Sequence, residues 1–472
     1  MSMTSVRSMR AWSAFHHRNY RLFWFGQLIS LIGTWMQAVA QDWLVLQLTN
    51  NPFDLGLVAA VQFTPVMILG LFGGLIADHL PKRRTLLGTQ SIAMTLALVL
   101  AADVITNNVQ VWHIFVLAFL LGCVNAFDMP TRQSFVVEMV GREDVGNAVA
   151  LNSAMFNTAR VIGPAFAGLA IGVFGIAISF VLNGLSYIAV LISLKLMRDS
   201  ELHSPPRIAR PTSVAGVVAN LSEGLSYVRR TPIVLLAILM VGIVSTVGIN
   251  FNVAVPPVAK NVLDVGATGY GFLMAAMGVG SLVAALTIAT LGKPSVRVLV
   301  GGGIMLGLLE MVFAISRSFP LSLLAMFGVG FGVISMAATA NTLIQLNVPD
   351  QLRGRVMSVY TTVFAGSTPI GAIGTGSVSA ALGAALAVGI AGLLSTLVAL
   401  AGAAYVFRSG LADHSGDSEF GSGGASEQAR LIAEIANAGV PGPAAAMAVP
   451  LAADANDRLA AAGLTANVRT GP

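Results

Sequence analysis

Three ionisable side chains, Asp42, Arg160 and Glu310, fall inside long apolar runs, where a charge is costly. A carboxyl in such a setting can carry a proton, and a guanidinium can hold an anionic ligand or a partner carboxylate. Arg160 shares a helical face with Ser153, Asn157 and Pro164, which makes a polar stripe through its run. Asp42 stands beside another such face, formed by Gln27, Ser30, Thr34, Gln37 and Gln41, and suits either a proton carrier or an outer gate. Glu310 follows Gly303 and Gly307 at helical spacing. Asn250, Asn252, Thr339, Asn341 and Gln345 add polar groups that either line a pathway or bond helix to helix. Covalent chemistry finds no support. There is no Gly-x-x-x-x-Gly-Lys-Ser/Thr phosphate loop, no Gly-x-Ser-x-Gly elbow and no His-Glu-x-x-His helix. The single cysteine, Cys123, excludes an internal disulfide, and no Cys/His cluster has zinc spacing. The expectation is a protein that is not an enzyme and has no cofactor or metal.

The elements that must position these groups are set by composition. Hydrophobic residues make up 56% of the 472 residues and charged ones 10%, with a mean hydropathy of +0.80. No single soluble core hides that much apolar surface, so the bilayer must act as solvent. A hydrocarbon core of about 30 Å takes about 20 apolar residues per helix. Twelve such segments are expected, at 22–48, 54–77, 85–106, 111–129, 147–172, 176–197, 232–256, 267–291, 297–316, 319–344, 352–376 and 380–407. The first is too long for a signal sequence and is expected to persist as a helix.

Lys and Arg fall on alternate loops. One side gathers Arg7 to Arg21, Lys82 to Arg84, Arg132, Arg142, the cluster from Lys195 to Arg230, Lys293, Arg297, Arg353, Arg355 and Arg408, and the other has Lys260 and Arg317. The positive-inside rule then makes both termini cytoplasmic. The formal charge of +5 is explained by this topology, with no nucleic-acid partner. Phe23, Trp24 and Phe25 at the inner boundary read as an interfacial belt.

The chain also repeats itself. A shift of 208 residues aligns Phe156 with Phe364 and Gly163 with Gly371, and a shift of 215 aligns Gly33 with Gly248 and Gly56 with Gly271. Two six-helix units follow, the usual construction of secondary transporters. The expected layout is an N-terminal segment 1–21, a first bundle 22–197, a central loop 198–231, a second bundle 232–407 and a tail 408–472 with a short helix near 425–438.

Two stretches carry a family resemblance. Gly74-Leu75-Ile76-Ala77-Asp78, with Lys82, Arg83 and Arg84 after it, resembles the loop between helices 2 and 3 of the major facilitator superfamily. The run from Asp128 through Arg132 and Glu138 to Asn147, Asn152, Arg160 and Pro164 is similar to the branch that contains the enterobactin exporter and macrolide efflux proteins. Within it, Gly163-Pro164-Ala165-Phe166-Ala167-Gly168 resembles the antiporter motif of helix 5, with Ala167 in place of a Gly. The resemblance implies an all-α membrane protein of twelve helices in two pseudo-symmetric bundles. It also implies alternating access, and proton-coupled efflux of a small amphiphilic molecule such as a siderophore, macrolide or other drug-like compound. The expected partners are that molecule, H+ and the lipid bilayer, and the expected site is the inner (plasma) membrane, with the chain a monomer. Gly74, Asp78, Lys82, Arg83, Arg84, Asp128 and Arg132 are expected to form a cytoplasmic gate. An importer or uniporter of the same fold, or a non-transporting sensor or scaffold, are the alternatives.

Overall fold

The computed structural model describes residues 12–203, 214–291 and 295–409, without the side chains of 70–79, 214–220, 289, 291 and 365. The tail beyond 409, with the helix expected near 425–438, lies outside the described residues. No strand occurs among the described residues. The helices are α1 (Arg18–Thr49), α2 (Pro52–His79), α3 (Lys82–Ile105), then a continuous stretch Val111–Phe174, α6 (Ala177–Lys195) and α7 (Val214–Arg230). The second half follows with α8 (Pro232–Val247), α9 (Phe251–Asn261), α10 (Gly266–Leu291), α11 (Val296–Ile315), α12 (Phe319–Asn347), α13 (Asp350–Leu382) and α14 (Ala384–Ser409).

Val111–Phe174 is two spans. Gly141 has φ 70° and ψ 178°, a conformation closed to side chains with a Cβ, and it turns the chain between α4 (111–140) and α5 (142–174). Among the described residues eleven stretches are long and apolar enough to cross a bilayer, and counting this one twice gives twelve. The expected fourth segment ended at 129, whereas α4 continues to 140 with Pro130 inside it. Its polar residues are paired, Asp128 with Arg132 one turn on, so the helix has no need to end there.

The seventh span is broken. It was expected as one helix over 232–256, but α8 stops at Val247 and α9 starts at Phe251. Gly248 and Asn250 supply the break, and the Asn250 side chain donates to the Thr246 carbonyl at 2.8 Å, competing with the helical bond that would continue the span. In the first half α1 runs unbroken through Gly33, the residue aligned with Gly248.

The repeat is a repeat of helix crossings. A Cβ on Gly163 would lie 2.4 Å from the Trp35 Cβ of α1, and one on Gly371 would lie 2.3 Å from the Thr246 carbonyl oxygen of α8. Gly33 faces Ser186 of α6 as Gly248 faces Ser395 of α14. Gly56 faces Ala372 of α13 as Gly271 faces Pro164 of α5. Each pair thus serves the same crossing in the two halves, and the last joins one half to the other.

The turn at Lys82 marks what we term the basic end of the bundle; the turns at Asn50 and Gly175 mark the far end. A core cluster at the basic end, with Tyr20, Phe23, Phe135 and Leu194, comes from the first half alone. A cluster at the far end combines Leu44, Leu55, Ile114 and Phe180 with Val253 and Ala372 of the second half. Phe23 is therefore core: it is 1% exposed and packs edge-on against Phe135. Trp24 donates to the Leu151 carbonyl, and only Phe25 of the three expected interfacial aromatics is exposed.

Candidate functional site

The centre of the site is Arg160, midway along α5. Gly163 lets α1 approach so closely that Trp35 comes to lie over the guanidinium, 5.9 Å from Cζ to the ring centroid. Phe156, one turn earlier, meets Trp35 edge-on at 5.7 Å. The Arg160 Nε is buried with no hydrogen-bond partner, and no carboxylate pairs with the side chain among the described residues. Of the two roles expected for Arg160, holding a carboxylate of this chain is not seen in this conformation. Asn157 is occupied locally, donating to the Ser153 carbonyl at 2.9 Å.

Toward the far end the two halves touch. Gly168 and Gly271 face each other, and a Cβ on Gly271 would stand 2.5 Å from the Pro164 carbonyl oxygen and 2.8 Å from the Gly168 Cα. The motif residues Gly163, Pro164 and Gly168 therefore line two seams, one with α1 and one with α10. Polar bonds close the same end. Tyr270 of α10 donates to Asp42 Oδ2 at 2.9 Å, Thr268 to the Gly168 carbonyl at 2.9 Å, and Lys260 of α9 to the Leu46 carbonyl and to Asn50 Oδ1 at 3.2 and 3.0 Å. Trp43 stacks on Tyr270 beside the Asp42 bond.

At the basic end no described ion pair joins one bundle to the other. Lys82 binds Glu138 of α4 at 2.5 Å, and Arg83 binds Asp199 and the Leu194 carbonyl at the end of α6. Asp128, 1% exposed, accepts from Thr89 and Gln90 of α3 at 2.7 and 2.8 Å and from Arg132. It ties α3 to α4. Arg84 is exposed, Gly74 and Asp78 lie in the last turns of α2, and the side chain of Asp78 is not among those described. Arg355 and Asn347 of the second half bind α7 of the central segment, Arg355 pairing with Glu223 and the Asn347 carbonyl accepting from Tyr227. Beyond the pairs above, hydrogen bonds from Ser13 and His17 hold the Asp144 carboxyl, at the start of α5, below the usual carboxylate range.

The second half's polar candidates separate. Asn250 is bound to α8 and packs against Gly371. Asn341 accepts from Gln345, and Asn252 is half-buried without a hydrogen-bond partner among the described residues. Glu310 is 2% exposed and points into the second half, beside Gly248. Sequence reasoning missed Trp35 and Tyr270, the partners of Arg160 and Asp42. Their one signal was an aromatic ring inside an apolar run, which has no sequence-local link to either charge.

The profile of the transmembrane secretion effector family matches residues 9–422. The chain belongs to that family. Among its relatives, the multidrug efflux pump Tap of Mycolicibacterium fortuitum is 28% identical over 377 residues, 77% of this chain and 89% of Tap. The staphyloferrin A transporter of Staphylococcus aureus is 24% identical over 373 residues, 75% of this chain and 87% of that protein. In fold, the chain is similar to a bacterial homolog of the human lysosomal transporter Spinster, solved inward-facing and unoccupied. The TM-score is 0.65 at 12% identity, over 83% of this chain and 96% of that one. The chain is a multi-pass membrane transporter with the twelve-helix, two-bundle major facilitator fold.

Proposed function

We propose that this chain exports a small amphiphilic molecule from the cytoplasm in exchange for protons, by alternating access, and that Arg160 anchors an anionic group of the cargo. The observation that carries the reading is a mid-span guanidinium with no anionic partner, between halves that are bonded at the far end. A charge held at that depth costs about 2.5–3.5 kcal/mol, and cation–π contact with Trp35 returns only about 0.5–2. A ligand carboxylate or sulfonate would supply the rest. The gathering of Lys and Arg supports a cytoplasmic basic end with both termini on that side, and in this reading the conformation described is the one that admits cargo from inside. Drug and siderophore transporters among the relatives support a cargo of that size.

In this scheme Asp42 and Tyr270 form the outer latch, and Pro164, Gly168 and Gly271 form the seam that opens when cargo leaves. At the basic end, Asp78 with Lys82, Arg83 and Arg84 closes the inner gate in the alternate conformation, supported on the bond network of Asp128 and Arg132. Asp78→Asn then slows cycling more than it weakens cargo binding.

The test uses everted vesicles with an acid interior and the potential clamped by valinomycin and potassium. Radiolabelled taurocholate, an amphiphile with one fixed negative charge, is the probe, and ethidium is its cationic counterpart. Gradient-driven taurocholate uptake that is lost in Arg160→Ala supports the reading. Equilibration independent of the gradient would sink the antiport claim, and uptake of ethidium alone would sink the anionic one.

A further inference from the structure

One buried acid plays no part in the pathway between the halves. Glu310 of α11 is 2% exposed, its Oε2 has no hydrogen-bond partner, and no cation pairs with it among the described residues. It borders a cavity with room for about one water molecule, at the break between α8 and α9. A Cβ on Gly248 would lie 3.3 Å from Glu310 Oε2 and 2.5 Å from Ser395 Oγ, so the glycine leaves the carboxyl and the hydroxyl facing bare backbone. Ser395 Oγ is likewise buried without a partner.

The break also creates a helix N-terminus inside the membrane. Asn250 gives α9 no side-chain cap, and Asn250 and Phe251 both line the cavity. The Val253 and Ala254 N–H groups donate to the Asn250 carbonyl, which leaves those of Phe251 and Asn252 as the first-turn donors that favour negative charge. The groups facing Glu310 from the elements around it are Asn250 and the Gly248 backbone from the seventh span, Met326 from α12, Thr375 from α13, and Ala391 and Ser395 from α14. None of them titrates. In the first half, the position of Gly248 is taken by Gly33 in an unbroken helix, and the atoms set against that glycine belong to Asn183 and Ser186, not to an acid. Break and acid occur together.

We propose that Glu310 and the break at Gly248–Asn250 form a site for a single proton, apart from the cargo site at Arg160. When ionised, the carboxylate accepts from the first turn of α9. When protonated, it donates to Ser395 Oγ and releases α9. The proton enters and leaves through the small cavity, with no other bond made or broken. The lever is α9 itself, because its last turn carries Lys260, which bonds to Leu46 and Asn50 of the other half. Proton occupancy thereby sets how firmly the far end is latched.

The inference rests on the proton-exchange reading, and two measurements keep the two separable. Dicyclohexylcarbodiimide, which modifies protonated carboxyls in apolar surroundings, should label Glu310 in the membrane-embedded protein, as mapped by mass spectrometry. Labelling should fall as pH rises, ignore sodium at fixed pH, and disappear in Glu310→Gln. Protection by sodium at fixed pH, or labelling with no pH dependence, overturns the proton site. In everted vesicles, Glu310→Gln should reduce gradient-driven taurocholate accumulation at least tenfold more than gradient-independent exchange. Ser395→Ala, a milder change, should move the pH dependence of labelling. If wild type accumulates and Glu310→Gln does so equally, the proton site falls alone. If wild type shows no gradient-driven accumulation, the export reading falls and the labelling result decides the site.

Discussion

Adding one methyl group at Gly271 should tip the transporter toward its far-end-open conformation. The Cβ would stand 2.5 Å from the Pro164 carbonyl oxygen and 2.8 and 2.9 Å from the Cα and N of Gly168, all backbone atoms that cannot turn aside. Overpacking of this kind costs about 1–3 kcal/mol. Alanine is also the better helix former by about 0.5–1 kcal/mol, but that gain is present whether the halves touch or not and cancels from the equilibrium. The steric cost falls only on the closed far end. At about 1.4 kcal/mol per factor of ten, the ratio of open to closed should rise about 5- to 150-fold. Spin labels at Asn108→Cys and Ser318→Cys, exposed positions in far-end turns of opposite halves, can be placed in a Cys123→Ser background, since Cys123 is the one native cysteine. Electron–electron distance distributions should gain a longer component in Gly271→Ala. Gly301→Ala is the control, because a Cβ there meets nothing within 4 Å. An unchanged distribution in a well-folded Gly271→Ala protein would refute the claim that the α5–α10 seam is a gating contact.

Other outcomes follow from the same geometry. Arg160→Met should abolish taurocholate transport without lowering the thermal unfolding midpoint, since the charge it removes has no partner to lose; a clear drop in the midpoint would point to a structural role. Tyr270→Phe removes the bond to Asp42, and at about 0.5–1.5 kcal/mol for a hydrogen bond it should raise the far-end-open population about 2- to 12-fold in the same spin-label measurement. Asp128→Asn should destabilise the protein by about 1–3 kcal/mol, because the partly exposed Arg132 loses its charged hydrogen-bond partner, and Thr89→Val should cost less, both read by thermal unfolding in detergent. The Asp144 carboxyl is depressed in the folded protein by Ser13 and His17. Its contribution is then complete above about pH 4 and lost as pH falls below it. Asp144→Asn should alter the fluorescence of Trp12, which stacks on Phe15, at neutral pH, and the difference from wild type should vanish in acid.

Much of the frame was legible because hydropathy is written locally. Twelve spans, two halves and the glycines of the repeat all follow from runs and spacings, and the structure gives Gly163, Gly56 and Gly271 the same crossings in each half. What was not legible depends on partners distant in the chain. The break in the seventh span is encoded by Gly248 and Asn250, yet whether the helix breaks there turns on Gly371 and Glu310, which pack against it from other helices. Asp42 could be read as an outer-gate or proton-carrying acid, but its bond to Tyr270 spans 228 residues. Phe23 looked interfacial by position along its helix and is core because Phe135 of α4 covers it. The end of α4 was misplaced for a related reason: Pro130 and two charges look like a boundary until Asp128 is seen to be fully satisfied.

The central claim is that outward cargo movement and inward proton movement are one cycle. It is tested most directly by adding taurocholate to acid-loaded everted vesicles under a clamped potential and following internal pH. Wild type should release protons when taurocholate is added, in proportion to the taurocholate taken up, and Arg160→Ala should release none. Taurocholate uptake with no proton release, or proton release of equal size in Arg160→Ala, would contradict the account.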